Sequence, residues 1–306
     1  MRARADRTLA PRMTAAGGVK RNRLGYAFVA PTLLFLIAFN VFPLVYNVVL
    51  GFTNAELVGS GWDWRGTGNY GRIFADAEFA GAVRRTALFV LSAVGIELAL
   101  GFAVALALQR RFRGRDTLLT ALLVPMMLSP AVIGLFWNLI LDGNYGILNQ
   151  ILGALGLGEP QWTTDRDLKF LSIVLVDVWM WTPFMLLIAL AALNAIPRTL
   201  YEAAEVDRAS RWMVFRRITL PLCAPLLGLA ALLRATDALK QFDLVMAITG
   251  PNDERTQTVS TLLYQVLFRD GRVGLGSAYA CLVLVLVLAL ATVFTRYLDN
   301  LRRRSA

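Results

Sequence analysis

Two sets of side chains recur at helical spacing inside apolar sequence. Asp177, Trp181 and Phe184 stand at i, i+4 and i+7, and Arg234, Asp237 and Gln241 at i, i+3 and i+7, so each set shares one helix face. Aromatic rings beside carboxylate, amide and guanidinium groups suit a polyhydroxylated molecule. The ring covers its apolar face and the polar groups pair with its hydroxyls. Glu97, Asp177, Arg234, Asp237, Lys240 and Asp243 are ionisable residues within long apolar runs, where charge is costly and faces a cavity or a partner. The plainer alternative is that Arg234 and Asp237 neutralise each other, as do Asp237 and Lys240.

Other chemistry is excluded by what is missing. The chain has no histidine, which removes the usual general base and metal ligand. It has no Gly-Lys dipeptide, hence no Walker A loop for nucleotide phosphates. An enzyme, a resident metal and a cofactor held by this chain are therefore not expected. Cys223 and Cys281 both fall in apolar runs, and no disulfide framework is implied.

The elements that position these residues follow from composition. Of 306 residues, 57% are hydrophobic, against roughly 45–50% in soluble domains. Runs of about 20 apolar residues cross the hydrocarbon layer, and backbone groups there must be satisfied within the segment, so the runs are helices. Six are legible: 26–50, 87–108, 117–141, 170–193, 220–248 and 276–295. Pro43, Pro125, Pro130, Pro183 and Pro225 lie inside them and are expected as kinks. The fold class is all-α: a polytopic membrane protein with a basic tail, 1–25, and a transmembrane domain, 26–306.

Charge gives the orientation. With both ends inside, inner segments carry 20 basic and six acidic residues, and outer loops nine basic and eleven acidic. This asymmetry puts both termini in the cytoplasm. The net charge of +10 is thus divided among separate loops, with no contiguous basic face for nucleic acid. Trp62, Trp64 and Trp162, in outer loops, are expected as interfacial anchors.

The cytoplasmic loop 197–219 is polar and rich in helix formers. Leu200, Ala203, Ala204 and Val206 can form one apolar face, with Glu202, Glu205 and Arg208 elsewhere. By pattern alone it is an amphipathic connector. Its spacing says more: Glu202-Ala203-Ala204, three residues, Arg208, nine residues, then Ile218-Thr219-Leu220-Pro221. This resembles the EAA loop of bacterial ABC-importer permeases, which reads E-A-A, three residues, glycine, nine residues, I-x-L-P. Every anchor matches except the glycine. Further stretches resemble the carbohydrate-type permeases of the maltose and glycerol-phosphate systems: APTLLFLIAFNVFPLVYNVVLGFTN, NYGRIF and TGPNDERTQTVSTLLYQVLF.

The resemblance implies an ABC-importer type I permease fold in the cytoplasmic membrane, paired with a second homologous permease. It implies an ATPase dimer below, which binds the ATP and Mg, and an extracytoplasmic solute-binding protein above, with 143–157 and 249–275 as docking loops. Glu202 would meet basic groups in a groove of the ATPase through charge-assisted bonds, with Ala203, Ala204, Asp207 and Arg208 shaping the coupling turn. Glycine takes a left-handed conformation freely, whereas arginine pays on the order of 1 kcal/mol. Either the turn is built differently here, or the partner's groove is adapted. The substrate positions carried over are Asp177, Met180, Trp181, Phe184, Arg234, Asp237 and Gln241. A neutral sugar or polyol is expected. Alternatives are an anionic derivative such as glycerol phosphate, favoured if Arg234 and Lys240 are unneutralised, and an ion-coupled secondary transporter using Asp177 or Glu97.

Overall fold

The computed structural model describes the backbone of residues 18–59, 61–110 and 112–305, and side chains from 25 to 296 apart from 60, 111 and 294. The basic tail up to residue 17 and the side chains of the C-terminal arginines lie outside the described residues. The chain divides into two compact units, Met1–Val49 and Leu50–Ala306.

The helices in chain order are α1 (Gly18–Leu36), α2 (Phe42–Leu50), α3 (Gly68–Ala75), α4 (Ala77–Leu108), α5 (Arg115–Leu123), α6 (Pro130–Ile140), α7 (Ile147–Ala154), α8 (Leu168–Asn194), α9 (Arg198–Val206), α10 (Arg211–Val214), α11 (Leu220–Ala238), α12 (Asp243–Ile248), α13 (Val259–Tyr264) and α14 (Val273–Ser305). Five helical stretches are long and apolar enough to cross a membrane: Gly25–Leu50, Ala77–Leu108, Leu168–Asn194, Arg211–Ala238 and Val273–Val293.

In the first unit, α1 runs into α2 through a π-helical turn at Ile37–Val41. Pro43 follows directly, and with no N–H it cannot make the bond that a regular α-turn requires there.

In the second unit the core is built on α4, α8 and α11, with α4 and α8 in the most extensive contact. Small residues let them approach. A Cβ on Gly101 would lie 2.5 Å from Met185 Cβ and 2.8 Å from the Leu186 nitrogen. Ala105, Ala189 and Ala192 are buried in the same cluster. Such close packing is how helices associate where lipid is as apolar as leucine. Helix α4 starts ten residues before the expected run, because Asp76 caps it by accepting from the Glu78 N–H at 2.8 Å.

Two expected spans are not single helices. The 117–141 run is α5, a 3-10 turn at Pro125–Met127, and α6. Pro130 pushes Ser129 to extended backbone (φ −66°, ψ 134°) and begins α6. Two prolines five residues apart break this helix; neither acts as a simple kink. Pro183 and Pro225, by contrast, stay inside continuous helices. The 220–248 run ends as a helix at Ala238, and after a turn α12 begins at Asp243. The pieces pair: α6 packs on α12, a Cβ on Gly134 would come within 2.5 Å of Ala247 Cβ, and Asn138 Nδ2 donates to the Ala247 carbonyl at 2.6 Å.

Outside the helices, half-buried Trp162 is bonded within its own loop. Its Nε1 donates to Asn149 Oδ1 at 2.7 Å, and Asn149 Nδ2 donates to the carbonyls of Gly143 and Pro160. Trp162 therefore closes the 143–162 loop over the core. Nearby, Asp165 accepts from the N–H groups of Asp167 and Leu168, which holds its carboxyl below the usual range.

Candidate functional site

Broken helices at membrane depth place irregular backbone where it must be buried or line a cavity. Both breaks meet at one cavity of about 170 Å³, lined by Pro130 at the start of α6, Trp181 of α8, Arg234 and Asp237 of α11, Lys240 and Gln241 of the turn, and Asp243 at the start of α12.

Behind its wall lies an ion cluster joining three helices. Arg234, 3% exposed, hydrogen-bonds through Nη2 to Asp177 of α8 and, at 3.2 Å, to Glu97 of α4. Its Nε lies 3.1 Å from Glu97 Oε2, a close charge contact that is not aligned as a hydrogen bond. Gln241 Nε2 donates to Asp177 Oδ1 at 2.9 Å. The Trp181 ring lies under the Arg234 guanidinium, 4.9 Å from ring centroid to Cζ. Asp237 pairs with Lys240 at 3.3 Å, both half-exposed at the cavity.

Of the expected set, Asp177, Trp181, Arg234, Asp237 and Gln241 come together. Met180 does not reach the cavity: it is 1% exposed and packed in the core. Phe184 stands edge-on to Trp181 at 6.4 Å and is not part of the lining. Asp177 is fully buried behind it. Arg234 is neutralised across helices, by Asp177 and Glu97, and not by Asp237 on its own helix. The sequence marks Glu97 as a charge in an apolar run, and as a coupling carboxylate in the ion-coupled alternative, but names no partner for it; Arg234 lies 137 residues away. Asp243 and Lys240, expected only as charges that face a cavity or a partner, both line it, whereas Pro130 carried no expectation beyond a kink.

At the opposite end of α8 and α11, α9 and α10 form a polar hairpin. Arg208 takes φ 53°. The Ala209 N–H donates to the Ala204 carbonyl at 2.9 Å and the Arg208 N–H to the Glu205 carbonyl at 3.0 Å. That is a Schellman turn with arginine in the glycine position. Ser210 caps α10 by accepting from the Met213 N–H. Tyr201, bonded to Thr219 Oγ1 at 3.2 Å, and buried Ala204 anchor α9 to the domain. The expected apolar face is otherwise uncovered: Val206 is 83% exposed, and Leu200 and Ala203 are exposed. Glu202, Asp207 and Arg208 also face outward.

An all-helical membrane domain, with broken helices around a polar cavity and a rigid hairpin at one end, defines a transport permease. The chain belongs to the family of inner membrane components of binding-protein-dependent transport systems, which matches residues 97–304. It is 35% identical over 274 residues to the trehalose/maltose transport system permease protein MalF of Thermococcus litoralis, covering 90% of this chain and 93% of that one. It is 32% identical to the trehalose transport system permease protein SugA of Mycobacterium tuberculosis over 90% and 88% of the two chains. A bacterial ABC transporter importing the acidic polysaccharide alginate shares the fold, with a TM-score of 0.81 at 22% identity over 92% of this chain and 97% of that one. A second structure of an alginate transporter, bound to a pentasaccharide-loaded periplasmic protein, has a TM-score of 0.79 at 21% identity, over 94% and 96%. The chain is thus a transport component of the inner membrane and not an enzyme, which removes the secondary-transporter reading.

Proposed function

We propose that this permease carries a neutral sugar of the trehalose or maltose type. The observation that carries the reading is the pairing of both cations at the cavity: Arg234 with Asp177 and Glu97, Lys240 with Asp237. No cation among those described lining residues is left for an anionic solute. Trp181 supplies an aromatic face, and Asp237, Gln241 and Asp243 supply polar groups for hydroxyls. The names of the T. litoralis and M. tuberculosis relatives point the same way.

The chain would make six crossings, the third in two pieces as α5 and α6, with both termini in the cytoplasm. It would pair with a second permease, receive solute from a binding protein outside and rest its α9–α10 hairpin on an ATPase dimer that holds ATP and Mg. Exposed Glu202 and Val206, on a helix anchored at Tyr201 and Ala204, support that contact. ATPase closure would move the hairpin as a rigid body and open the cavity outward.

Purification from the native membrane in mild detergent, followed by mass spectrometry and by uptake of labelled trehalose, maltose and glycerol phosphate into vesicles, tests the whole reading. The expected result is a co-purifying ATPase and second permease, with ATP-dependent uptake of a neutral sugar. A chain that purifies alone, or vesicles that prefer glycerol phosphate, overturns it.

A further inference from the structure

A second, larger space lies near the other end of α8, the outer end by the charge asymmetry of the loops. It measures about 720 Å³ and is walled by the starts of α4 and α8 and by the segment before α13. That is within the roughly 300–1,000 Å³ of small-molecule sites, whereas the inner cavity of about 170 Å³ falls below that range.

Its wall is rigid. Gln257, 3% exposed, donates from Nε2 to Glu78 Oε1 at 3.1 Å and to Gln265 Oε1 at 2.9 Å. Arg85 Nε donates to the Gln257 carbonyl at 2.8 Å. Lys169 pairs with Asp253, which ties the start of α8 to the same segment. Around this framework stand Arg84, Arg166, Asp167, Glu254 and Arg255, none in an ion pair with another described residue, and the ring of Phe170. Charges of both signs, close together yet unpaired, beside one aromatic face, are unused donors and acceptors of the kind that vicinal hydroxyls engage.

The two spaces have no lining residue in common, but α8 contributes to both. Phe170, Asp177 and Trp181 are spaced by seven and four residues, one stripe of α8 about 16 Å long at 1.5 Å per residue. Phe170 belongs to the outer space, Trp181 to the inner, and Asp177 stands between. Thr258, next to Gln257, donates from Oγ1 to the Gln241 carbonyl at 3.0 Å, and Gln241 lines the inner cavity.

We infer that this vestibule is an outer acceptance subsite for the sugar, occupied before the inner cavity. The inference rests on the substrate reading above. The test is carried out on the assembled transporter in native membranes, with a Glu254→Cys variant labelled by a polar maleimide. Cys223 is buried and Cys281 half-buried, and an Asp63→Cys variant serves as the exposed control. Saturating trehalose, without binding protein, is expected to slow labelling at position 254 by about tenfold at ten times its Kd, and to leave position 63 unchanged. Phe170→Ala should remove that protection. Protection by unloaded binding protein but not by trehalose would make the vestibule a protein-docking surface and overturn the inference. Uptake of trehalose and of maltose by wild type is measured in the same membranes with the binding protein added. Uptake without protection sinks the vestibule alone, and absence of uptake of both trehalose and maltose sinks the substrate reading and the inference with it.

Discussion

Arg208 donates its backbone N–H to the Glu205 carbonyl at 3.0 Å while holding φ 53°. The left-handed turn between α9 and α10 is therefore built as glycine would build it, with arginine bearing the strain. Of the two possibilities that Arg208 raised, a turn of different construction is ruled out.

Arg208→Gly should leave uptake intact and stabilise the chain by about 0.5–1 kcal/mol, the relief of a left-handed side chain less the added freedom of the unfolded glycine. Arg208→Ile should destabilise it, since a β-branched residue resists positive φ. Thermal unfolding of the purified complex, with uptake alongside, checks both.

Removing Arg234 leaves Asp177 and Glu97 buried without their cation. Arg234→Met should cost about 3–5 kcal/mol, as breaking one side of a buried ion cluster does, and lower the folded yield. The triple change Glu97→Gln, Asp177→Asn, Arg234→Met should recover much of that stability. Restored folding with uptake still lost would assign the cluster to transport as well as to structure; unchanged stability in Arg234→Met would contradict the cluster's structural role.

Glu202→Lys should abolish uptake without reducing membrane insertion, because Glu202 is exposed and holds no other part of the fold. Uptake at the wild-type rate by this variant removes Glu202 from the coupling contact.

Gly101 sits where α4 crosses α8, against Met185 and Leu186. Gly101→Val should destabilise by about 1–3 kcal/mol through overpacking. Gly95, on the same helix with nothing within 4 Å of a Cβ, should accept alanine with little change. Folded yield from membranes, compared for the two variants, reads the difference.

What was legible in the sequence was local or periodic. The apolar runs, the arginines gathered in alternate loops and the spacing from Glu202 to Pro221 are linear properties of the chain. They determined the helical class, the expected orientation and the resemblance carried by the α9–α10 hairpin. The faces of α8 and α11 followed from helical period, which put Asp177 with Trp181 and Arg234 with Asp237; Gln241 reaches the same site from the turn beyond the end of α11.

What only the tertiary structure decided was pairing at long range. Asp237 lies three residues from both Arg234 and Lys240, and nothing in that spacing says which cation it takes. The choice is made by Asp177 and Glu97, on α8 and α4, which small residues at Gly101, Ala105 and Ala189 bring close together beside α11. Likewise an apolar run of 29 residues, 220–248, does not show that it will leave the helix after Ala238. Unwinding exposes backbone polar groups, and it is tolerable here because Thr258 bonds the freed Gln241 carbonyl while the Gln241 side chain bonds Asp177. A break of that kind is stabilised by its partners in space, and those partners have no fixed place in the order of residues.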